Sequence, residues 1–345
     1  MFEATKFRIL RIGTPVRGGA RPLTTRTRTR THTRTRRFAA ILAIGLALTT
    51  VTGCGSAPAG SEGDALRVYV TTGYIADAVA NIAPNVLVTT MVGPGGDPHS
   101  YQPSTRDIER ILDADLVLWN GLELEAQMSD QLASLGERQL AVAETLPDEL
   151  LIPLPETDSG GHPLVDPHVW NDPAAWGLVV QAIAEKLGEI HPAGASGYVE
   201  RATAYTEQIT QEAARISTIL EAIPEPRTLI TGHDAFSYFG RTFDLEVRAT
   251  DFISTEAALG AGELDELAAL IAENRVPVIF NDNQANPQAI TSLREAVEAR
   301  GWRVKISAAE LYADSLGAEA GVDTYLGVLA HNASAIAETL TEETR

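Results

Sequence analysis

The sequence predicts an α/β protein of two lobes joined by one long helix, and three observations carry that reading. Short apolar strands alternate with helical segments from Leu66 onward, the same alternation begins again at Arg227, and an unbroken helical stretch lies between them. At 345 residues the chain exceeds one minimal domain and suits two lobes of ordinary size. Its 44% hydrophobic and 21% charged content allows a sizeable core.

Taken in order, residues 66–72, 86–92, 115–120 and 139–143 read as short buried strands, with helical spacing in Ile75–Ala83 and Thr105–Ala114. Strand and helix in alternation argue for a parallel or mixed sheet covered by helices. Residues 227–232, 245–249, 276–282 and 302–307 repeat the strand pattern, and helices follow at 264–275, 287–300 and 324–340. The connecting stretch Ser196–Ile223 places Tyr198, Ala202, Tyr205, Ile209, Ala213, Ile216, Leu220 and Ile223 at steps of three and four, and Pro224 and Pro226 stop it. Twenty-eight helical residues span roughly 40 Å. Such a helix joins two lobes stiffly. The expected division is therefore a lobe at 66–195, the connecting helix at 196–223 and a second lobe at 224–345.

The front of the chain has a different character. Residues 1–53 hold 11 of the 27 Lys and Arg but a single acid, Glu3, so 16 basic and 45 acidic residues remain and the body carries −29. A body so anionic repels phosphate, which argues against nucleic-acid binding. The Thr-Arg run 25–37 leads into an apolar stretch, Phe38–Thr52, of signal-peptide length. Val51-Thr52-Gly53-Cys54 follows and resembles a bacterial lipobox. Cys54 is the only cysteine, and a Gly/Ser/Pro-rich segment succeeds it. The expectation is a lipoprotein-type signal peptide at 1–53, lipidation of Cys54, a flexible tether at 54–65, and a chain anchored to the outer face of the bacterial cell membrane.

Three of the seven histidines sit where α/β sheets gather ligand sites, at strand–loop or loop–helix junctions. His99 lies in GGDPHSYQPS, His168 in DPHVWNDP and His233 in TGHDAF. The tripeptide Asp-Pro-His occurs twice, and its proline fixes φ just before the imidazole. Asp97, Asp166 and Asp234 are placed to accept the second ring N–H of these histidines and fix the tautomer. One such histidine is ordinarily a structural residue. Three together favour joint ligation of a metal ion.

The motifs GDPHSYQPS, DPHVWNDP, LITGHDAFSYFGRTF and ELYADSLGAEAGVDTYLGVLAHN together resemble the metal-specific solute-binding proteins of zinc and manganese ABC importers, over about residues 66–342. The resemblance implies two pseudo-symmetric α/β lobes (central sheets flanked by helices) on a rigid backbone helix, with the ion buried between them. It implies ligands at His99, His168 and His233 and adds a fourth, Asp314, which spacing alone does not single out. It further implies an ABC permease and its ATPase as partners, a monomer, no catalytic residues, and one ion per chain carried as transported substrate. Three imidazoles and one carboxylate suit Zn2+, with Mn2+ as the alternative. Many zinc members of the family carry a long His-rich loop before the second motif. Here residues 155–166 are short and offer only His162, as a gate, a weak collecting loop or a plain surface loop. The rival from another class is a metal-dependent hydrolase, but the chain has neither HExxH nor G-x-S-x-G, and Gly93-Pro94-Gly95-Gly96 lacks a P-loop lysine. A further rival is an adhesin or structural lipoprotein in which the metal serves only as a folding staple.

Overall fold

In the computed structural model, residues 65–157, 161, 163–251 and 259–343 are described. The stretches expected to be a signal peptide (1–53) and a tether (up to residue 64), with Cys54, and His162 lie outside them. Four parallel strands open the fold: β1 (Arg67–Val70), β2 (Leu87–Thr90), β3 (Leu116–Trp119) and β4 (Gln139–Ala141), in the order β2-β1-β3-β4. Their side chains alternate between two apolar layers. Val68 and Val70 face one cluster with Ile75, Val79 and Val180, while Tyr69 and Val117 face another with Ile111 and Leu132. Burial on both faces is what a parallel sheet requires, and it explains the near-continuous apolar strand sequences. The helices of this half are α1 (Gly73–Ile82), α2 (Thr105–Asp113), α3 (Ser129–Ala133) and α4 (Pro173–Ile190). Asp172 caps α4 by accepting the N–H groups of Ala174 and Ala175, with Pro173 in the first helical position.

Residues 155–166, read from sequence as a loop, contain parts of two antiparallel strands, β5 (Pro153–Thr157) and β6 (Pro163–Val165). Three prolines obscured them, and a two-stranded edge pair tolerates proline where a central strand does not.

The connecting helix α5 runs Ala195–Leu220, ending three residues before the expected Ile223. It buries Tyr198, Ala202, Tyr205, Ile209, Ile216 and Leu220, as the spacing predicts, whereas Ala213 is only partly covered. Those side chains belong to one apolar cluster that reaches from Val68 in the first sheet to Phe280 and Leu340 in the second half. Because α5 is embedded in a continuous core, it is a strut rather than a hinge.

Beyond α5 the strands are β7 (Thr228–Thr231), β8 (Glu246–Ala249), β9 (Val278–Asp282) and β10 (Lys305–Leu311), pairing in parallel as β7-β8 and β9-β10. Four helices accompany them: α6 (Ser237–Phe243), α7 (Ala261–Asn274), α8 (Pro287–Ala299) and α9 (Tyr325–Glu343). Among the described residues no helix is long and apolar enough to cross a membrane.

Candidate metal centre

The carboxyl ends of strands from both halves converge on one point, as expected for ligand sites in α/β sheets. His99 follows β2, His233 follows β7 and Asp314 follows β10, while His168 comes from the segment just before α4. One ligand atom from each lies within 4.8 Å of all the others. His168 and His233 are fully buried, Asp314 is 1% exposed and His99 8%.

Local chemistry aims each ring. In both Asp-Pro-His tripeptides the aspartate accepts the backbone N–H of the histidine, at 2.8 Å from His99 to Asp97 and 2.9 Å from His168 to Asp166. Proline contributes no N–H and fixes φ, so the side-chain bond closes a tight turn. The two copies then diverge. Asp166 Oδ1 lies 2.7 Å from Nδ1 of His168, whereas Asp97 Oδ2 accepts the hydroxyl of Ser100 at 2.5 Å. Asp234 accepts the Ser237 hydroxyl at 3.3 Å. The backbone of His233 is held from elsewhere: Oδ2 of Asp282, the last residue of β9, accepts the N–H groups of Gly232 and His233 at 2.9 and 3.0 Å. Residue 232 has to be glycine, since a Cβ there would meet Ala285 Cβ at 2.2 Å.

Asp314 is pinned through its neighbours. The Ala313 carbonyl accepts Tyr74 Oη at 3.0 Å and Trp170 Nε1 at 2.9 Å, both from the first half of the chain. Asn283 accepts the Ala313 N–H at 2.8 Å and donates to the Ser315 carbonyl at 3.1 Å. Sequence reasoning missed Tyr74, Trp170, Asp282 and Asn283. The one available signal was the polar NDNQ run that ends a strongly apolar strand.

The four groups form a cage. Nε2 of His168 is 3.2 Å from Nε2 of both His99 and His233, and the Asp314 oxygens lie 3.4, 3.4 and 3.1 Å from Nε2 of His99, His168 and His233. Neither Asp314 oxygen receives a well-directed hydrogen bond, although both are buried. A buried carboxylate is costly unless a metal ion or a protonated imidazole meets it. Ring-nitrogen lone pairs held this close repel one another unless a proton or a metal ion lies among them. The contacts among these groups, 3.1–3.4 Å, are of the size that separates neighbouring ligand atoms around a zinc ion held at about 2.0–2.2 Å.

Electrostatics in the cation-free cage follow from this crowding. Burial acts on His233 most strongly and against its charge, but Asp314, Asp282 and Asp234 together outweigh it and raise its pKa to about 9. Burial dominates at His99 and lowers its pKa. For Asp314, burial favours the neutral acid, yet the surrounding histidines prevail and hold it well below the usual carboxylate range. Burial lifts Asp282 to about 6 against the pull of His233.

Residues 68–339 match the family described as ZnuA, zinc-uptake complex component A, periplasmic. The chain belongs to this family. It is a family of solute-binding uptake components and not of enzymes, which removes the hydrolase alternative. Among its relatives, the zinc-binding protein TroA of Treponema pallidum is 37% identical over 308 residues, 88% of this chain and 97% of that protein. The manganese-binding lipoprotein MntA of Bacillus subtilis is 34% identical over 304 residues, covering 86% and 97%. The solved structure of the Treponema pallidum periplasmic zinc-binding protein superposes with a TM-score of 0.75, covering 80% of this chain and 99% of that one. The α/β architecture with its long helix is thus the TroA-like fold.

Proposed function

We propose that this member of the ZnuA family captures one zinc ion with His99, His168, His233 and Asp314 and hands it to an ABC permease. The carrying observation is the convergence of three imidazoles and one carboxylate, all buried and each offering a ligand atom within 4.8 Å of the other three. Nitrogen-rich, four-ligand coordination suits zinc, which has no geometric preference from d-electrons. In this reading Asp166 orients His168, Asp97 shapes the turn that carries His99, and Asp234 acts as a more distant charge near His233. Cys54 carries the lipid, so that the protein, as a monomer, works at the outer face of the cell membrane beside the permease and its ATPase. The divisions expected at residues 195–196 and 223–224 place His99 and His168 in one lobe and His233 and Asp314 in the other.

Manganese is the second reading. Asp314 presents Oδ2 to His99 and His233 but Oδ1 to His168, and a carboxylate that offers both oxygens supplies the oxygen-richer shell manganese prefers. Metal analysis of the purified protein, followed by equilibrium dialysis against zinc and manganese, tests both. The expected result is one zinc per chain, lost in His168→Ala while the cation-free fold is kept. A variant that still binds zinc with unchanged affinity defeats the assignment.

A further inference from the structure

The two halves grip the cage unequally. The segment leading into α4 is tied to the second half of the chain at many points. Tyr238 Oη donates to the Asp166 carbonyl at 2.9 Å and accepts the Ile152 N–H at 3.1 Å. Arg241 reaches the Leu150 carbonyl at 2.7 Å and the Asp172 carboxylate at 3.0 Å. Asn171 donates to the Ala235 carbonyl at 2.8 Å, and Tyr325 Oη to the Trp170 carbonyl at 2.9 Å. His168 therefore sits in a segment stitched to the other half from several directions.

The turn that carries His99 is built differently. It begins with Gly93-Pro94-Gly95-Gly96, closed by the Gly96 N–H on the Gly93 carbonyl at 3.0 Å, with Gly95 at φ +71°. A turn of this kind lacks regular secondary structure, and such segments move more readily than strands or helices. A side chain of the second half reaches its backbone: Gln284 Nε2 donates to the Gly96 carbonyl at 3.0 Å. Gln284 is itself fixed: its N–H donates to Asp282 Oδ1 at 3.1 Å, while Asp282 Oδ2 holds the backbone of His233. One buried carboxylate thus organises His233 directly and the His99 turn through Gln284. His99, at 8%, is also the most exposed of the four cage residues.

We propose that Gln284 is the positioning residue that latches the His99 turn, and that a cation enters and leaves the cage by release of this latch while the His168 segment stays in place. The proposal rests on the metal-capture reading and adds to it the route and the side chain that set the rate. Gln284 touches neither the ion nor the ligand rings. Its effect is on how long the fourth side of the cage remains closed.

The test compares the whole protein with Gln284→Glu and Gln284→Ala. The glutamate keeps the shape but faces the Gly96 carbonyl with an acceptor, and alanine removes the contact outright. Zinc-loaded protein is mixed rapidly with excess chelator, and amide hydrogen exchange is followed over residues 93–104 and 166–172. Both variants still bind one zinc and release it about three- to tenfold faster, the change expected for loss of one hydrogen bond to a peptide group. Exchange rises in 93–104 and stays level in 166–172. Release at the parental rate in both variants overturns the latch, as does faster exchange confined to 166–172. A parental protein that takes up no zinc or manganese defeats the capture reading itself, so the two failures are distinct.

Discussion

Asp166 holds His168 twice with one oxygen, accepting the backbone N–H at 2.9 Å and facing Nδ1 at 2.7 Å. With the proton fixed on Nδ1, Nε2 is left as the lone-pair donor toward His99, His233 and Asp314. Both residues are fully buried, so no water competes for the contact. Asp166→Ala frees the ring to rotate and exchange tautomers, and zinc affinity falls about 10- to 100-fold. Competition titration against a chelator of known affinity measures it. An unchanged affinity means that packing against Trp170, whose ring centre lies 5.3 Å away, is enough to orient His168.

A second expectation concerns protons. With its pKa raised from 6.5 to about 9, His233 in the cation-free protein is charged at neutral pH beside Asp314. A group raised on folding stabilises the folded chain fully below its unfolded value, and that contribution disappears as pH climbs through the folded value. Chelator-treated protein therefore loses this part of its stability between about pH 6.5 and 9. His99, lowered by burial, has the opposite sign and weakens the fold as pH drops below 6.5. Zinc needs neutral imidazole, so binding at pH 7.5 expels the His233 proton. Calorimetry in buffers of different ionisation enthalpy reads that proton directly, and its disappearance above pH 9 checks the assignment.

The strands and helices were legible because their patterns are local: every expected strand is present, and α5 buries the stripe its spacing describes. The three histidines were legible because histidine is scarce and its positions at element junctions carry meaning. Asp314 is different. It is one of 45 acidic residues in the body, and only the resemblance of its surrounding motif singled it out. Asp282 escaped for a related reason: its task is set by backbone N–H groups at Gly232 and His233, 50 and 49 residues away, which no spacing rule reaches. Asp234, the neighbour of His233 in sequence, bonds to Ser237 instead, a reminder that adjacency along a chain says little about where a side chain points.

Two glycines give a controlled comparison. A Cβ at residue 232 would lie 2.2 Å from Ala285 Cβ and 2.9 Å from Asp282 Oδ2, so Gly232→Ala displaces the turn that supports His233. Overpacking of this kind costs about 1–3 kcal/mol, and zinc affinity should fall with it. Gly262 sits in the first turn of α7, and among the described residues nothing lies within 4 Å of an added Cβ. Gly262→Ala removes backbone freedom from a helix and stabilises by up to about 1 kcal/mol without touching zinc binding. Denaturant midpoints and zinc titrations on both variants decide it, and equal effects would show that the crowding at 232 is relieved elsewhere.

Trp170 offers an optical handle on the same geometry. Its indole donates to the Ala313 carbonyl at 2.9 Å, stacks on Tyr74 with ring centres 4.9 Å apart, and meets His168 edge-on at 5.3 Å. An ion bound to His168 changes the charge and polarity against the indole face, whereas Trp119, Trp176 and Trp302 make no such ring contact with a cage histidine among the described residues. Zinc titration should therefore shift tryptophan emission, and Trp170→Phe should abolish most of that shift. The same substitution removes one of two donors to the Ala313 carbonyl and leaves Tyr74 in place, so stability falls by about 1 kcal/mol and zinc affinity only modestly. Tyr74→Phe in addition leaves that buried carbonyl without either donor and frees the backbone next to Asp314, so the double variant should lose more zinc affinity than the two single variants combined. Strict additivity in that cycle would mean that Asn283, holding Ala313 and Ser315 from the other side, fixes Asp314 alone.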